Sequence, residues 1–299
     1  MKYKKDFFIN KSKKAFSLIE LSIVLLIIGI IAGGITQSSR LIAAFKLSSA
    51  RSLTRGSPVA SISGLVAWWD ATSEASFKSS EADDGSKIST WYDINPQSSS
   101  KNDLTQATLA KKPIYTASAI NGLPALSFDG SAQYLGVPYS ADFNASQFTI
   151  FAVVRPTAYN TAYGPIVASR DYETMGGYVL YAANTGHYQF VLGNSSSWVG
   201  LYEDSPASIT FKKADVLTGS YDGTTRKLYA SGTLSLSGSA SLTTNQQKML
   251  TIGVVDIEAA IVVYYYTGYV GEVIIFNRNL KVSERTDVEN YLQKKWSVR

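Results

Sequence analysis

A long apolar stretch near the start of the chain restricts the fold more than any other feature of the sequence. The segment from Phe16 to Ile35, FSLIELSIVLLIIGIIAGGI, contains one charged residue, Glu20. A helix of about 20 apolar residues spans the hydrocarbon core of a bilayer. The sequence therefore predicts a helix that crosses a membrane, with an acidic residue near its start.

The basic residues are concentrated just before this stretch. Residues 1–15 contain six lysines and one aspartate, which accounts for the whole net charge of +5. Positive flanks stay on the cytoplasmic side of a membrane, so the remainder of the chain is predicted to be outside. The part after Arg55 has a net charge of −3. A mildly acidic body does not attract phosphate backbones, and this excludes nucleic acid as a predicted partner.

Glu20 allows three interpretations of the apolar stretch. The stretch can be a signal anchor with an incidental acid. It can also be a secretory signal peptide, cleaved at the small residues Ala32-Gly33-Gly34. In the third interpretation the acid has a function, as ionisable groups inside membranes usually do.

The segment KKAFSLIELSIVLLIIGIIAGG (Lys13–Gly34) resembles the N-terminal methylation motif of type IV pilins and of type II secretion pseudopilins. The resemblance implies that a prepilin peptidase removes a leader, residues 1–15, by cutting between Ala15 and Phe16. Phe16 would become the methylated N-terminus. Glu20 would neutralise the terminal amine of a neighbouring pilin subunit in a filament, because a buried charge needs a partner. The family usually has glycine where this chain has Ala15.

The apolar helix is predicted to continue above the membrane. Thr36 to Arg55 contains no proline, and Gly56-Ser57-Pro58 is a stop signal. The predicted organisation is thus a transmembrane and stem helix over residues 16–55, a linker over 56–62 and a body over 63–299.

The body shows alternating apolar residues and turn residues that indicate an all-β fold. Strand-like segments such as QFTIFAVVRP and YVGEVIIFNR are separated by Gly, Asp-Gly or Pro. Tyr221-Asp222-Gly223-Thr224 predicts a hairpin, Ser231–Thr244 an edge strand with loose loops, and Ser283 a cap for a last helix that ends near Lys295. Their number and spacing predict a β-sandwich or jelly roll.

Several segments, in this order along the chain, resemble the laminin G-like, concanavalin A-like jelly rolls, over roughly residues 63–299. The resemblance implies a mainly β fold, with a concanavalin A-like sandwich after the N-terminal helix. The superfamily includes adhesive and glycan-binding modules as well as glycosidases, so fold alone does not define function. The matching segments are GLVAWWDA, WYD, PALSFDGSAQYL, FTIFAVVRP, YDGTTRKLYASG and GEVIIFNRNLKVSERTDVENYLQKKW.

Catalytic motifs are incomplete. The chain has no cysteine and one histidine, His187, which excludes cysteine nucleophiles and sites that need several histidines. Glycosidases need two carboxylates, and Asp256 with Glu258 on one strand, or the loop acids Glu81 to Asp84, are the nearest approach. The sequence favours a protein without enzymatic activity.

Ligand sites have weaker signals. Trp198, in NSSSWVGLY, and Tyr265, within a run of three tyrosines, are candidate sugar-stacking residues, whereas Trp68, Trp69 and Trp91 are predicted to lie in the core. The resemblance allows bound calcium, and oxygen-rich turns that could supply ligands are Asp83-Asp84-Gly85, Asn102-Asp103, Asp129-Gly130 and Asp222-Gly223. No metal ligand is assigned from the sequence.

Three functional hypotheses remain open. The first is a minor or modular pilin, present in the cytoplasmic membrane as a prepilin and then in a surface filament, whose body adheres to a glycan or an extracellular protein. The second is a secretion pseudopilin with a structural role. The third is a membrane-tethered glycoside hydrolase. The large body favours the first.

Overall fold

A long helix, α1 (Leu18–Arg55), begins the described part of the chain. The computed structural model describes residues 18–158, 163–201, 203, 205–255, 257 and 263–299. Gly56 closes the helix by donating its N–H to the Ser52 carbonyl (3.1 Å), so α1 ends before Gly56-Ser57-Pro58, as predicted. Among the described residues, no helix combines the length and apolarity that a membrane crossing requires.

The chain divides into two units, Met1–Phe45 and Lys46–Arg299; the second is called the head from here on. In the first unit, described apolar side chains of α1 such as Leu18 and Leu25 are exposed. The head contains the last turns of α1, every described strand and a C-terminal helix, α2 (Val282–Trp296).

The described strands number eighteen and most are short. Glycine, Asp-Gly and proline punctuate them, in agreement with the turn signals of the sequence. In chain order they are β1 Leu65–Asp70, β2 Thr90–Trp91, β3 Leu104–Thr105, β4 Ile114–Ile120, β5 Leu123–Asp129, β6 Leu135–Val137, β7 Phe148–Pro156, β8 Tyr163–Asp171, β9 Gly176–Ala183, β10 Tyr188–Gly193, β11 Trp198–Val199, β12 Asp215–Tyr221, β13 Thr225–Ala230, β14 Thr233–Ser239, β15 Leu250–Ile252, β16 Val254–Val255, β17 Tyr264–Tyr265 and β18 Thr267–Phe276.

Two eight-stranded antiparallel sheets form the sandwich. Sheet A has the order β14-β13-β12-β7-β18-β5-β4, with β1 paired to the second half of β18, and sheet B has the order β11-β10-β9-β8-β15-β6-β3-β2. A bulge between Val270 and Glu272 lets β18 change its partner from β5 to β1. Strands β16 and β17 form a separate two-stranded ribbon. The predicted sandwich is confirmed.

The main core lies between the two sheets. Inward-facing residues of sheet A, such as Ile150 and Ile275, pack with inward-facing residues of sheet B, such as Leu180 and Phe190. Trp68, Trp69 and Trp91 are at most 3% exposed, so their predicted burial is confirmed. Burial of this extent stabilises the head without disulfides, since the chain has no cysteine.

The predicted hairpin and edge strand are found in the structure, whereas the predicted cap of the last helix is not. The predicted hairpin is the β12–β13 connection, where Asp222 accepts hydrogen bonds from the backbone of Thr224 and Thr225. The predicted edge strand is β14, at the end of sheet A. The prediction that Ser283 caps α2 was wrong. Helix α2 begins at Val282, and the Glu284 carboxylate accepts the Lys281 N–H (2.8 Å).

A second core covers the outer face of sheet A. Helix α2 and the last turns of α1 pack there, because both present apolar side chains to the sheet. Ala50 in α1 is 2% exposed, and it joins Val288 and Leu292 of α2 against Phe151 and Ile274. The two helices thus occupy this face of the head.

A fully buried ionic network links these elements. The Lys295 Nζ of α2 lies 2.7 Å from Asp70 Oδ2 of β1 and 2.7 Å from Glu272 Oε2 of β18. Glu272 also accepts the indole N–H groups of Trp68 and Trp296, each at 2.8 Å. Burial raises the pKa of Glu272, and Lys295 opposes that shift. The Thr54 hydroxyl of α1 donates to Asp70 Oδ2 (2.9 Å).

Candidate functional site

The outer face of sheet B bears an aromatic cluster near the β8–β11 end of the sheet. Side chains of Val179, Tyr181 and Val191 point outward there, yet they are at most 1% exposed. They are covered by larger, half-buried side chains from β8, β11 and β17. The resulting surface is apolar and lies on the face of the sandwich opposite the two helices.

Arg170, on β8, is the cation of this cluster. Its guanidinium stacks on the Trp198 ring at 4.1 Å from the ring centroid and lies 5.5 Å from that of Tyr172. It also donates a hydrogen bond to the Tyr181 hydroxyl (2.7 Å). Stacking of a planar guanidinium between aromatic rings is favourable and fixes its orientation.

Tyrosines extend the cluster toward β17. The rings of Tyr181 and Tyr163 have centroids 5.3 Å apart, and Tyr163 meets the edge of Tyr264 at 5.3 Å and 89°. Aromatic rings at these separations attract one another beyond the effect of their burial. The name Arg170 cluster is used below for Tyr163, Arg170, Tyr172, Tyr181, Trp198 and Tyr264.

The local sequence explains how Trp198 reaches Arg170. The Asn194 carboxamide accepts the N–H groups of Ser196 (3.1 Å) and Ser197 (2.7 Å), which closes a tight turn after β10. Trp198 is therefore placed opposite Gly193 in the β10–β11 pair. Within the described part of the chain, the buried indole N–H of Trp198 has no hydrogen-bond acceptor.

Other residues proposed from the sequence lie elsewhere. Burial, together with the charges of Tyr134 and Asp129, raises the pKa of Tyr265. Its neighbour Tyr264 is the tyrosine that joins the Arg170 cluster. Glu20 lies in α1. The remaining proposed residues, Ala15, Phe16, Asp256 and Glu258, are outside the described residues.

The cluster combines aromatic rings, tyrosine hydroxyls and one guanidinium. A tryptophan ring can stack on a sugar ring, and tyrosine hydroxyls and a guanidinium can donate hydrogen bonds to its oxygens. None of the six residues is a carboxylic acid, and glycosidases generally use a pair of them.

The oxygen-rich turns use their carboxylates to hold the backbone. Asp129 Oδ1 accepts the N–H groups of Ser131, Ala132 and Gln133 at 2.9–3.1 Å. Burial alone would raise the pKa of Asp129, but these bonds outweigh it and lower the pKa. Asp84 Oδ1 accepts the Ala117 N–H (2.8 Å), and Asp103 Oδ1 accepts the Asp93 N–H (2.9 Å). These contacts give the turns a structural role.

No group of three or more acidic, histidine or cysteine side chains in the described ranges is arranged to hold a metal ion.

The two parts of the chain match two sequence families. A prokaryotic N-terminal methylation motif matches residues 10–36, and the concanavalin A-like lectin/glucanases superfamily matches residues 129–284. The second match covers more than half of the chain, so this protein belongs to that superfamily. The predicted combination of a methylation motif with a concanavalin A-like domain is confirmed. No curated protein matches the sequence.

Solved structures with a similar fold include domains of larger proteins. A Trypanosoma rangeli sialidase in complex with 2,3-difluoro-KDN matches with a TM-score of 0.55 and 14% identity, over 84% of this chain and 38% of the sialidase. Domain 4 of a GH43 extracellular arabinanase from Geobacillus stearothermophilus, in complex with arabinotriose, matches with a TM-score of 0.50 and 16% identity, over 75% of this chain and 98% of the domain.

A third similar structure is the binding domain of Paraclostridial Mosquitocidal Protein 1, with a TM-score of 0.53 and 12% identity, over 77% of this chain and 52% of that domain. The chain spans about a third of the sialidases that it matches, such as one in complex with sialic acid (33%). At these identities the likeness concerns the fold alone.

Proposed function

We propose that this protein is a type IV pilus-like subunit whose head adheres to a glycan through the Arg170 cluster. The observation that supports adhesion most directly is the stacking of Arg170 on Trp198, two half-buried side chains that lie beside the exposed ring of Tyr172. A guanidinium held against aromatic rings can donate hydrogen bonds to the oxygens of a sugar that stacks on those rings. Similar folds have been solved with arabinotriose and with sialic acid.

The N-terminal part of the proposal rests on the methylation motif. A prepilin peptidase would remove the leader, residues 1–15, and release Phe16 as the N-terminus. The helix over 16–55 would then anchor the subunit in the membrane and afterwards in a surface filament. There Glu20 would pair with the amine of a neighbouring pilin subunit, since an isolated charge inside a membrane is costly. The linker (56–62) and the body (63–299) would be outside the cell.

Processing is the first testable step. Mass spectrometry of the protein from cells that express a prepilin peptidase should find Phe16 at the N-terminus, methylated on its amine. An Ala15→Gly variant, which has the usual residue of the family, serves as the control and should be processed at the same bond. An N-terminus near Gly34, or an intact leader in both proteins, would contradict the prepilin assignment.

Adhesion is tested with an oligosaccharide array that includes arabinan and sialic acid-terminated members. The full-length protein in detergent should bind at least one member without releasing reducing sugar. Trp198→Ala should weaken that binding about thirtyfold or more, because truncating a central tryptophan typically removes about 2 kcal/mol or more.

The matched control is Tyr139→Ala, which removes an aromatic ring that is 43% exposed and lies outside the cluster. It should leave binding unchanged. Equal loss in both variants would show that the Arg170 cluster is not the binding surface. Absence of binding to every array member would contradict the glycan-binding proposal and favour a structural pseudopilin, and sugar release would favour a hydrolase.

A further inference from the structure

A buried arginine closes one edge of the sandwich beneath the loop that follows Trp198. Arg226 lies on β13 of sheet A and is 1% exposed. Its guanidinium crosses to sheet B and donates a hydrogen bond to the Phe190 carbonyl of β10 (2.9 Å). It also forms an ion pair with Glu203, whose side chain is 57% exposed. Arg226 therefore joins the two sheets and the loop.

The loop backbone rests directly on this guanidinium. Gly200 has φ +90°, and a Cβ atom there would lie 2.6 Å from Arg226 Cζ, so only glycine allows such a close approach. The loop forms two successive turns, in which Leu201 N–H donates to the Trp198 carbonyl (3.2 Å) and Glu203 N–H to the Gly200 carbonyl (3.2 Å). Trp198, Gly200 and Glu203 are thus held in one short, hydrogen-bonded segment.

Apolar side chains could close this edge of the sandwich without the desolvation free energy that a buried cation costs. Burial lowers the pKa of Arg226, and Glu203 opposes that shift. Ion pairs of this kind are often no more stabilising than well-packed apolar residues of similar volume. What the pair provides is a directional link from sheet A to the loop, which an apolar side chain would not provide.

We infer that the Arg226–Glu203 ion pair positions Trp198 on Arg170, so that Arg226 and Glu203 are positioning residues for the proposed ligand surface. Arg226 fixes the loop at Gly200 and Glu203, two and five residues after Trp198 in the sequence. Arg170 then meets the Trp198 ring at stacking distance. The consequence for ligand affinity rests on the proposed function, whereas the position of Trp198 does not.

The test uses the full-length protein labelled with 5-fluorotryptophan, which gives one fluorine resonance for each of its five tryptophans. Trp198→Phe assigns the resonance of Trp198. In Glu203→Gln this resonance should shift or broaden while the other four stay in place, and affinity for the best array oligosaccharide should fall about fivefold to tenfold. Glu284→Gln, which breaks the Arg278–Glu284 ion pair elsewhere in the head, should leave the Trp198 resonance unchanged.

A double variant, Arg226→Met with Glu203→Gln, separates an effect on the position of Trp198 from an effect on the stability of the head. It leaves no unpaired charge, so its melting temperature should return toward that of the wild type. The Trp198 resonance should nevertheless remain perturbed, because the directional link is missing. A wild-type Trp198 resonance in both variants would overturn the inference. A perturbed resonance in a protein that binds no array member would uphold the inference and contradict the glycan-binding proposal.

Discussion

A Lys295→Met substitution should lower the free energy of unfolding of the head by about 3–5 kcal/mol, the usual effect of removing one partner from a buried ion pair. Lys295 is fully buried and lies 2.7 Å from carboxylate oxygens of both Asp70 and Glu272. Methionine fills a similar volume, so little packing is lost. Two buried carboxylates would then face each other without a cation between them, and like charges at short range repel strongly.

Chemical unfolding of the full-length protein in detergent, followed by tryptophan fluorescence, measures this effect, since all five tryptophans lie in the head. The matched control is Lys294→Met, which makes the same chemical change at the exposed neighbouring position of α2. It should alter stability by no more than about 0.5 kcal/mol. Adding Glu272→Gln to Lys295→Met should recover part of the loss, because one of the two surplus charges is removed. Equal stability of Lys295→Met and Lys294→Met would contradict the role given to the network.

Local sequence patterns correctly predict the elements whose structure depends only on residues close in the chain. The β12–β13 hairpin follows from Asp222-Gly223, whose side chain and φ of +100° make the turn. The end of α1 follows from Gly56, whose N–H donates to the Ser52 carbonyl, and from Pro58. The burial of Trp69 and Trp91 follows from their apolar strand context. Each of these features is determined within a few residues of the chain.

The Arg170 cluster could not be predicted, because its members lie on β8, in the turn after β8, and on β9, β11 and β17, and they meet only through sheet register. Arg170 lies opposite Gly177, and Trp198 lies opposite Gly193, in pairs that no local spacing reveals. A shift of one residue in a strand reverses the face of every side chain. The sequence therefore identified Trp198 as a candidate but not the cation on which it stacks.

The tyrosine run at the β17–β18 junction shows the same limit within three residues. Tyr264 joins the cluster, Tyr265 pairs with Val254 of β16, and Tyr266 is buried against Phe128 in the main core. Alternation along a strand predicts that neighbours diverge. Which tyrosine joins the Arg170 cluster depends on the pairing of β17 with β16, which is a tertiary feature.

A Gly177→Ala substitution should destabilise the head by about 3 kcal/mol or more, since it combines backbone strain with steric overlap. Gly177 has φ +93°, and a Cβ atom there would lie 1.8 Å from the Ser169 carbonyl oxygen. Ser169 belongs to β8, so the overlap can be relieved only by separating β8 from β9. That separation would occur beside Arg170, the pairing partner of Gly177. We therefore expect the Arg170–Trp198 stacking to be disturbed as well.

Gly85→Ala is the matched control for this substitution. Gly85 has a similar φ of +86°, but no atom lies within 4 Å of the Cβ position, so only the conformational cost of about 1–2 kcal/mol applies. The difference between the two variants in urea unfolding isolates the steric contribution of the β8–β9 contact. If both variants lost the same stability, the close approach of the two strands would not be required. The Trp198 fluorine resonance should be perturbed in Gly177→Ala and unchanged in Gly85→Ala, because only the first position adjoins the cluster.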